Sequence, residues 1–108
     1  MAKLRPAPPI LTPDQRRAAL AKAAQVRMAR AMLLAALKAG DIDLATVLGR
    51  DDEVTRRVLV HDLLRSLPSI GPAKARILME QIGISRSRRI RGLGSRQRTA
   101  LLEHFIGH

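Results

Sequence analysis

Six arginines fall between residues 86 and 98, and no acidic residue interrupts them. They surround Gly92-Leu93-Gly94, a tight turn that is predicted to open a helix. Arginine offers a planar fork of donors that matches phosphate, and the free N–H groups at a helix start add positive partial charge. The segment therefore predicts a site for a polyanion, with a nucleic-acid backbone as the first choice. The alternative interpretation is a basic loop that serves only solubility.

The closest spacing in this segment is that of Arg88, Arg89 and Arg91. If the segment that holds them is irregular, three arginines within four positions cannot all lie on one solvated helix face. Some of them could reach into a groove while others hold phosphates. Ile90 and Leu93 are expected to pin the segment to the core.

A second turn of the same kind lies at residues 69–71 and leads into a helix that starts at Pro72. Lys74 and Arg76 fall in the first turns of that helix. Free N–H groups at a helix start can bind a phosphate, and the lysine adds charge. The alternative is an ordinary corner between two helices, with the isoleucine of the turn in the core.

The sequence lacks the residue patterns that metal binding, nucleophilic catalysis or nucleotide binding would require. The histidines at positions 61, 104 and 108 have neither ligand spacing nor a carboxylate cluster around them. Ser66, Ser69 and Ser95 have no evident base, and no glycine-rich nucleotide loop is present. The sequence holds no cysteine, which excludes disulfides and thiolate metal sites. We therefore predict a protein that is not an enzyme and that uses no cofactor, no metal and no small-molecule substrate.

The charge is strongly positive: 20 basic residues oppose 9 acidic ones in 108 residues, giving a net charge of +11. An acidic middle, with six acids in residues 41–62, separates two basic regions. Such a charge favours nucleic acid or an anionic membrane as partner. A membrane is the weaker choice because the sequence has no long apolar run and neither Trp nor Tyr. With one aromatic residue, Phe105, systematic base stacking is excluded, so duplex recognition fits better. No secretory signal is evident, and a cytoplasmic location is expected.

The N-terminal third predicts an arm and a long helix. Residues 1–11 hold three prolines and are predicted to be a flexible arm. Thr12, Pro13 and Gln15 have the spacing of a capping box with proline at the first helical position, and Gly40 is a natural stop. The predicted helix covers 13–39. Its core face is expected to hold Val26, Ala29, Leu33 and Leu37, while its earlier, basic part projects as either a solvated helix or a basic lid on DNA.

The remaining elements are predicted to be helical as well, because no segment alternates with period two. Short helices are expected after Asp43 and after Asp51 or Asp52, followed by helices over 61–67 and 72–82 and a last helix from Gly94 or Ser95 to about Phe105. The predicted inward residues are Leu63, Leu64, Leu67, Ala73, Ile77, Leu78, Ile82, Leu101 and Phe105, with Met28, Met32 and Met79 as core filler. The fold class is therefore all-α, in a single domain over 12–108.

Several motifs together resemble the actinobacterial integration host factor family, the mycobacterial and streptomycete type. They are the segment 11–16 that opens an Ala-rich helix, the segments 60–64 and 67–71, and most specifically 88–94 with Arg96 and Gln97. The resemblance implies a helix-two-turns-helix core, here at about 60–106, behind a long N-terminal helix. Two positions depart from the pattern: Ser69 stands where such turns often have glycine, and Pro72 lacks an N–H that could meet a phosphate.

The resemblance also implies a function. Family members are nucleoid-associated proteins that bind double-stranded DNA with little sequence preference, bend or compact it, and can assist phage integrase. The family's Arg-Arg-x-Arg segment approaches DNA, which corresponds to Arg88, Arg89 and Arg91 here, and its first turn corresponds to Gly71 and Lys74. The predicted DNA-binding residues are Ser69, Gly71, Lys74, Arg76, Arg88, Arg89, Arg91, Gly92, Gly94 and Arg96.

Two other functions use the same helical element. An RNA-binding structural protein of the ribosomal type is the main alternative, although that protein carries a long basic C-terminal tail. A DNA glycosylase is the other, but it would need a nucleophile at the N-terminus and a catalytic glutamate in a separate domain.

Overall fold

The computed structural model describes residues 10–105 as six α-helices and one 3₁₀ turn. The helices are α1 (Pro13–Ala39), α2 (Leu44–Leu48), α3 (Glu53–Arg56), α4 (Val60–Arg65), α5 (Pro72–Ile82) and α6 (Ser95–Phe105), and the 3₁₀ turn covers Ile90–Gly92. Within the described range, β-pairing is limited to one antiparallel bridge between Leu59 and Arg89. The predicted all-α class is confirmed. The arm predicted at 1–11 lies outside the described residues except for its last two positions, and so does His108.

Local chemistry sets both ends of α1. The Thr12 hydroxyl accepts from the Gln15 N–H at 3.1 Å, and the Gln15 side chain accepts from the Thr12 N–H at 2.9 Å. This reciprocal pair satisfies two N–H groups that a helix start leaves open. At the other end Gly40 adopts a left-handed conformation with φ 78°, which glycine reaches without a Cβ clash. The predicted bounds 13–39 are confirmed.

The buried face of α1 is much shorter than predicted. Only Leu33 and Leu37 are buried, and they lie near the C-terminal end of the helix, which packs on α3. Val26 and Ala29 are exposed, so their assignment to the core was wrong. Met28 and Met32 are each 66% exposed and are not core filler either. Because α1 is rich in alanine and carries apolar side chains on several faces, its sequence does not reveal where contact with the domain begins.

Aspartates begin the two short helices that follow. The Asp43 carboxylate accepts from the Thr46 N–H at 2.8 Å, and the Asp52 carboxylate accepts from the Thr55 N–H at 3.0 Å. Asp52 also accepts from the hydroxyl of Thr55, whose side chain is wholly buried. Partial burial raises the pKa of Asp52, but hydrogen bonds from Thr55 and Arg50 outweigh burial and lower the pKa to about 2. The cap is therefore an ionised carboxylate at neutral pH.

Helices α4, α5 and α6 form the core that holds the two predicted turns. α4 packs on α5, α5 packs on α6, and α2 also packs on α6. Leu63, Leu64 and Leu67 are buried as predicted, and Leu101 of α6 is fully buried while Phe105 is partly buried. Burial of one such leucine contributes about 1.5–3 kcal/mol to folding.

The stripe predicted for α5 was wrong in two of its four positions. Ala73 is exposed and Ile77 is 50% exposed, whereas Ala75 and Met79 are buried beside Leu78. Apolar residues occur all around this helix, so more than one stripe with helical spacing can be drawn. The small side chain of Ala75 suits the face that packs on a neighbouring helix, and tertiary packing therefore decides the orientation.

Candidate nucleic-acid interface

The segment between α5 and α6 contains the arginine cluster, and we call residues 84–94 the connector. It begins after Gly83, which ends α5 in a left-handed conformation with φ 82°. Ile90 and Leu93 are 1% and 7% exposed, so the predicted apolar anchors are confirmed. The Ile90 N–H donates to the Val58 carbonyl at 2.9 Å, and the Val60 N–H donates to the Arg88 carbonyl at the same distance. The backbone of the connector is thus held against the chain before α4.

Two of the three closely spaced arginines make hydrogen bonds to backbone carbonyls. Arg88 Nη1 donates to the Gly92 oxygen at 2.8 Å, and Arg89 Nη1 donates to the Arg57 oxygen at 2.5 Å. Each guanidinium carries five donors, so most of them stay open. Arg91 is exposed and has no ion pair or side-chain hydrogen bond within residues 10–105. Carbonyl acceptors carry no net charge, so all three side chains keep their full positive charge.

The acidic residues do not neutralise the connector. Ion pairs in the described part of the chain join Arg17 to Asp14, Arg50 to Asp52, Arg57 to Glu53, and Arg65 to Asp62. None of them involves an arginine of residues 86–98. Asp52, Glu53 and Asp62 therefore pair with arginines close to them in sequence, and no ion pair in the described residues compensates the positive charge of the connector.

A shallow cleft of about 330 Å³ brings the three arginines together with Ser85, Ser87 and Gly92. The cleft is lined by guanidinium and hydroxyl donors, which are the groups that hold phosphate oxygens in proteins. Arg88, Arg89, Arg91 and Gly92 of the predicted set thus share one surface.

The turn before α5 has the geometry of a helix start that lacks a cap. Ser69 has φ 66°, the one positive φ at a non-glycine residue among those described. Gly71 is the N-cap residue of α5, and no side chain caps the helix. The first-turn N–H groups of Ala73 and Lys74 consequently have no intrahelical partner. Around Gly71 no atom lies within 4 Å of where a Cβ would stand, so the turn is open to a ligand.

The two cations of α5 lie on different surfaces. Positions 74 and 76 are about 200° apart around a helix. Lys74 lines a groove with Ser69, Ile77 and Phe105. Arg76 lines another with His61 and Arg86, so the structure groups it with the connector rather than with Lys74.

The start of α6 is closed by a side chain. The Gly94 N–H donates to Gln97 Oε1 at 3.0 Å, so this N–H is not free for a phosphate. Arg96 is exposed and forms no ion pair with any described residue.

Gln97 and Arg98 also support the connector. The sequence did not single out either of them as a site residue. Gln97 also donates through Nε2 to the Gly83 oxygen at 3.1 Å, and Arg98 Nη1 donates to the Leu48 oxygen at 2.7 Å. Arg98 is three residues before the fully buried Leu101, and this helical spacing toward the core is the signal that could have found it.

Among residues 10–105, no three His, Asp or Glu side chains come together in a way that could hold a metal ion. Within these residues, every helix is either too short or too polar to span a bilayer.

Comparisons with known proteins match this architecture. The family model of the S13-like H2TH domain matches residues 37–105. The integration host factor of Mycobacterium tuberculosis is 50% identical over 99 residues, covering 90% of this chain and 94% of the relative. The integration host factor of Streptomyces coelicolor is 46% identical over 99 residues, with 90% and 92% covered. The chain belongs to the actinobacterial integration host factor family. The resemblance inferred from the sequence is confirmed.

A solved structure of a family member shows the same fold with a ligand. The structure of sIHF bound to an 8bp palindromic DNA superposes with a TM-score of 0.75 at 42% identity, covering 78% of this chain and 97% of that one. In the present chain, all ten predicted DNA-binding residues fall inside the H2TH match at residues 37–105, whereas the exposed part of α1 precedes it.

Proposed function

We propose that this protein binds double-stranded DNA with low sequence specificity and acts as an architectural, nucleoid-associated protein without catalysis. The observation that carries the proposal is the cleft lined by Arg88, Arg89 and Arg91, none of which forms an ion pair with an acidic residue within 10–105. The DNA-bound relative supports a duplex as the ligand of this fold.

Binding rests on backbone contacts in this proposal. The three arginines of the cleft neutralise phosphates, and Arg96 adds charge beside them. The open start of α5 at Ser69 and Gly71, with Lys74, holds a further phosphate. Arg76 contributes next to Arg86. Phosphate contacts position a protein on DNA without reading its sequence, which is the basis for low specificity.

Bending and compaction follow from the same contacts. Neutralising phosphates on one side of a duplex and inserting arginine into a narrow minor groove both favour a bent duplex. With Phe105 as the single aromatic, bending relies on charge and shape rather than on apolar wedges. The proposal also includes assistance to a phage integrase and residence on the nucleoid. It further assigns residues 12–108 to a single DNA-binding domain and residues 1–11 to an arm.

RNA is the less favoured ligand. The relatives carry the name integration host factor, and the solved relative holds DNA. Competition between a labelled DNA duplex and ribosomal RNA separates the two, because an RNA-binding protein would release the duplex at low RNA concentration.

The decisive experiment measures affinity for two duplexes of unrelated sequence over a series of salt concentrations. Neutralising about 4–6 phosphates gives a slope of about −4 to −5 for log K against log salt on both duplexes. In the same assay Arg91→Ala should weaken binding, and Arg65→Ala is its matched control, since Arg65 is also exposed but pairs with Asp62 and does not line the cleft. Absence of binding in dilute buffer, or binding to one sequence alone, would overturn the proposal.

A further inference from the structure

The connector is closed at its base by one amide side chain. Gln97 Oε1 accepts from the N–H of Gly94, where the connector ends, and Gln97 Nε2 donates to the carbonyl of Gly83, where α5 ends. Both bonds are close to 3 Å, at 3.0 and 3.1 Å. A single side chain of α6 therefore joins the two ends of an eleven-residue segment, residues 84–94.

The middle of the connector is held by the next residue. Arg98 Nη1 donates to the Leu48 oxygen at 2.7 Å, and Nη2 donates to the Ile90 oxygen at 3.3 Å. Its Nε lies 3.5 Å from the Leu93 oxygen. One guanidinium thus links the last carbonyl of α2 to two carbonyls around the 3₁₀ turn. The Leu48 carbonyl ends a helix and has no intrahelical partner, so the bond satisfies a group that folding would leave open.

Neither side chain belongs to the surface that faces solvent with the arginines. The cleft is lined by Ser85, Ser87, Arg88, Arg89, Arg91 and Gly92, and it includes neither Gln97 nor Arg98. Arg98 is partly buried, and its donors point at carbonyls of its own chain.

We propose that Gln97 and Arg98 are positioning residues for DNA binding: together they form a clamp that holds the connector in the shape that presents Arg88, Arg89 and Arg91. This inference rests on the function proposed above. Side chains ordered before binding lose less freedom when they bind, so the clamp raises affinity without touching the duplex. Although Arg98 belongs to a basic cluster, its main role is to donate several hydrogen bonds from one planar guanidinium rather than to supply charge.

The test separates charge from shape with Arg98→Lys. Lysine keeps the charge but cannot span three carbonyls with a planar fork. Loss of charged hydrogen bonds to the connector should speed amide exchange at Leu93 and Gly94 by about tenfold. Duplex affinity should fall by about five- to tenfold, with the salt slope unchanged because the phosphate-binding arginines are all present. Arg65→Lys is the matched control, an exposed arginine distant in sequence, and it should change neither quantity.

Other outcomes overturn the inference. Unchanged exchange at Leu93 and Gly94 means that the clamp does not hold the connector. Faster exchange with unchanged affinity means that connector shape does not matter for DNA. Affinity kept by Arg98→Lys, together with a salt slope that drops by about one in Arg98→Met, means that Arg98 contacts a phosphate directly.

Two further arms cover the remaining cases. If Arg98→Lys does not fold, Gln97→Met provides a second test, because Gln97 is partly exposed and forms the base of the clamp. This variant should speed amide exchange at Gly94 and weaken duplex binding. An affinity equal to that of the unmodified protein would contradict the inference. If the unmodified protein binds no duplex, the proposed function fails by itself, and the exchange rates then decide whether the clamp exists.

Discussion

Within the connector, the side chain of Arg88 contacts the backbone of Gly92 directly. The guanidinium of Arg88 donates to the Gly92 oxygen at 2.8 Å, and the arginine side chain crosses the Cα of that glycine. A Cβ at position 92 would stand 3.0 Å from Arg88 Cδ and 3.4 Å from its Nη1. The absence of a side chain at position 92 therefore leaves the space that the Arg88 side chain occupies.

Gly92→Ala should displace the Arg88 side chain while leaving the fold intact. A distance of 3.0 Å is too short for comfortable contact, but the obstructing atoms belong to a flexible side chain that can move. We expect the melting temperature to change little and the duplex affinity to fall about two- to threefold, as one arginine must be ordered on binding. Calorimetry and fluorescence anisotropy with labelled DNA measure the two quantities. A large loss of stability would show that the side chain has no room to move.

Gly71→Ala supplies the complementary case. Apart from Gly71 and the two residues adjoining it, no described residue has an atom within 4 Å of a Cβ at this position, so stability should change by no more than about 0.5 kcal/mol. Duplex affinity should nevertheless fall, because the methyl group would occupy the space in which a phosphate approaches the start of α5. Full affinity in this variant would exclude DNA from that turn.

Ser69→Gly should stabilise the protein. Ser69 has φ 66°, where a residue with a Cβ is strained by about 1–2 kcal/mol and glycine is not. We expect a gain of about 1 kcal/mol, measured by urea denaturation. Ser69→Ala is the control, since it retains the Cβ and should give no gain. A stability equal to that of the unmodified protein in both variants would mean that strain at the turn is absent.

Arg89→Ala and Arg91→Ala should weaken duplex binding to a similar degree on unrelated sequences, because the proposed function assigns both side chains to charge rather than to base readout. They should differ in stability. Arg89 bonds the Arg57 carbonyl, so its loss should cost about 1 kcal/mol, whereas Arg91 has no such partner in the described structure. Parallel affinity and thermal-melting measurements check both statements. A loss confined to one DNA sequence would identify a base-reading residue.

Stability should depend on the ionisation of Asp52 in acid. Its pKa is about 2 in the folded protein, below the value of about 3.9 for an unfolded aspartate. The carboxylate therefore contributes stability that is fully present above about pH 4 and is lost as the pH falls toward 2. Asp52→Asn should be less stable at neutral pH and should lack this part of the acid dependence. Chemical denaturation at several pH values makes the comparison, and identical pH profiles would contradict the role of the cap.

The elements that the sequence predicted correctly are those whose signals are local. The capping box of Thr12 and Gln15, the left-handed glycines at 40 and 83, and the aspartate caps all act within four residues. Wrong assignments concern orientation: Val26 in α1 and Ile77 in α5 face solvent because packing against other helices chooses among several apolar faces.

The site was predictable in composition but not in its internal contacts. The run of arginines and the glycine turn are visible in the sequence, as is the isoleucine that anchors them. The bond from Arg98 to Leu48 spans 50 residues and that from Arg89 to Arg57 spans 32. No local spacing encodes contacts of this kind, because they depend on how the helices are arranged.

The long reach of α1 has a thermodynamic consequence. Its buried residues, Leu33 and Leu37, lie in its last two turns, so the preceding twenty residues gain helicity from alanine propensity and the N-terminal cap rather than from packing. Such a segment unwinds independently of the globular core at a modest free-energy cost. We therefore expect residues 13–32 of α1 to unwind on heating before the helical body that contains α2 to α6 melts.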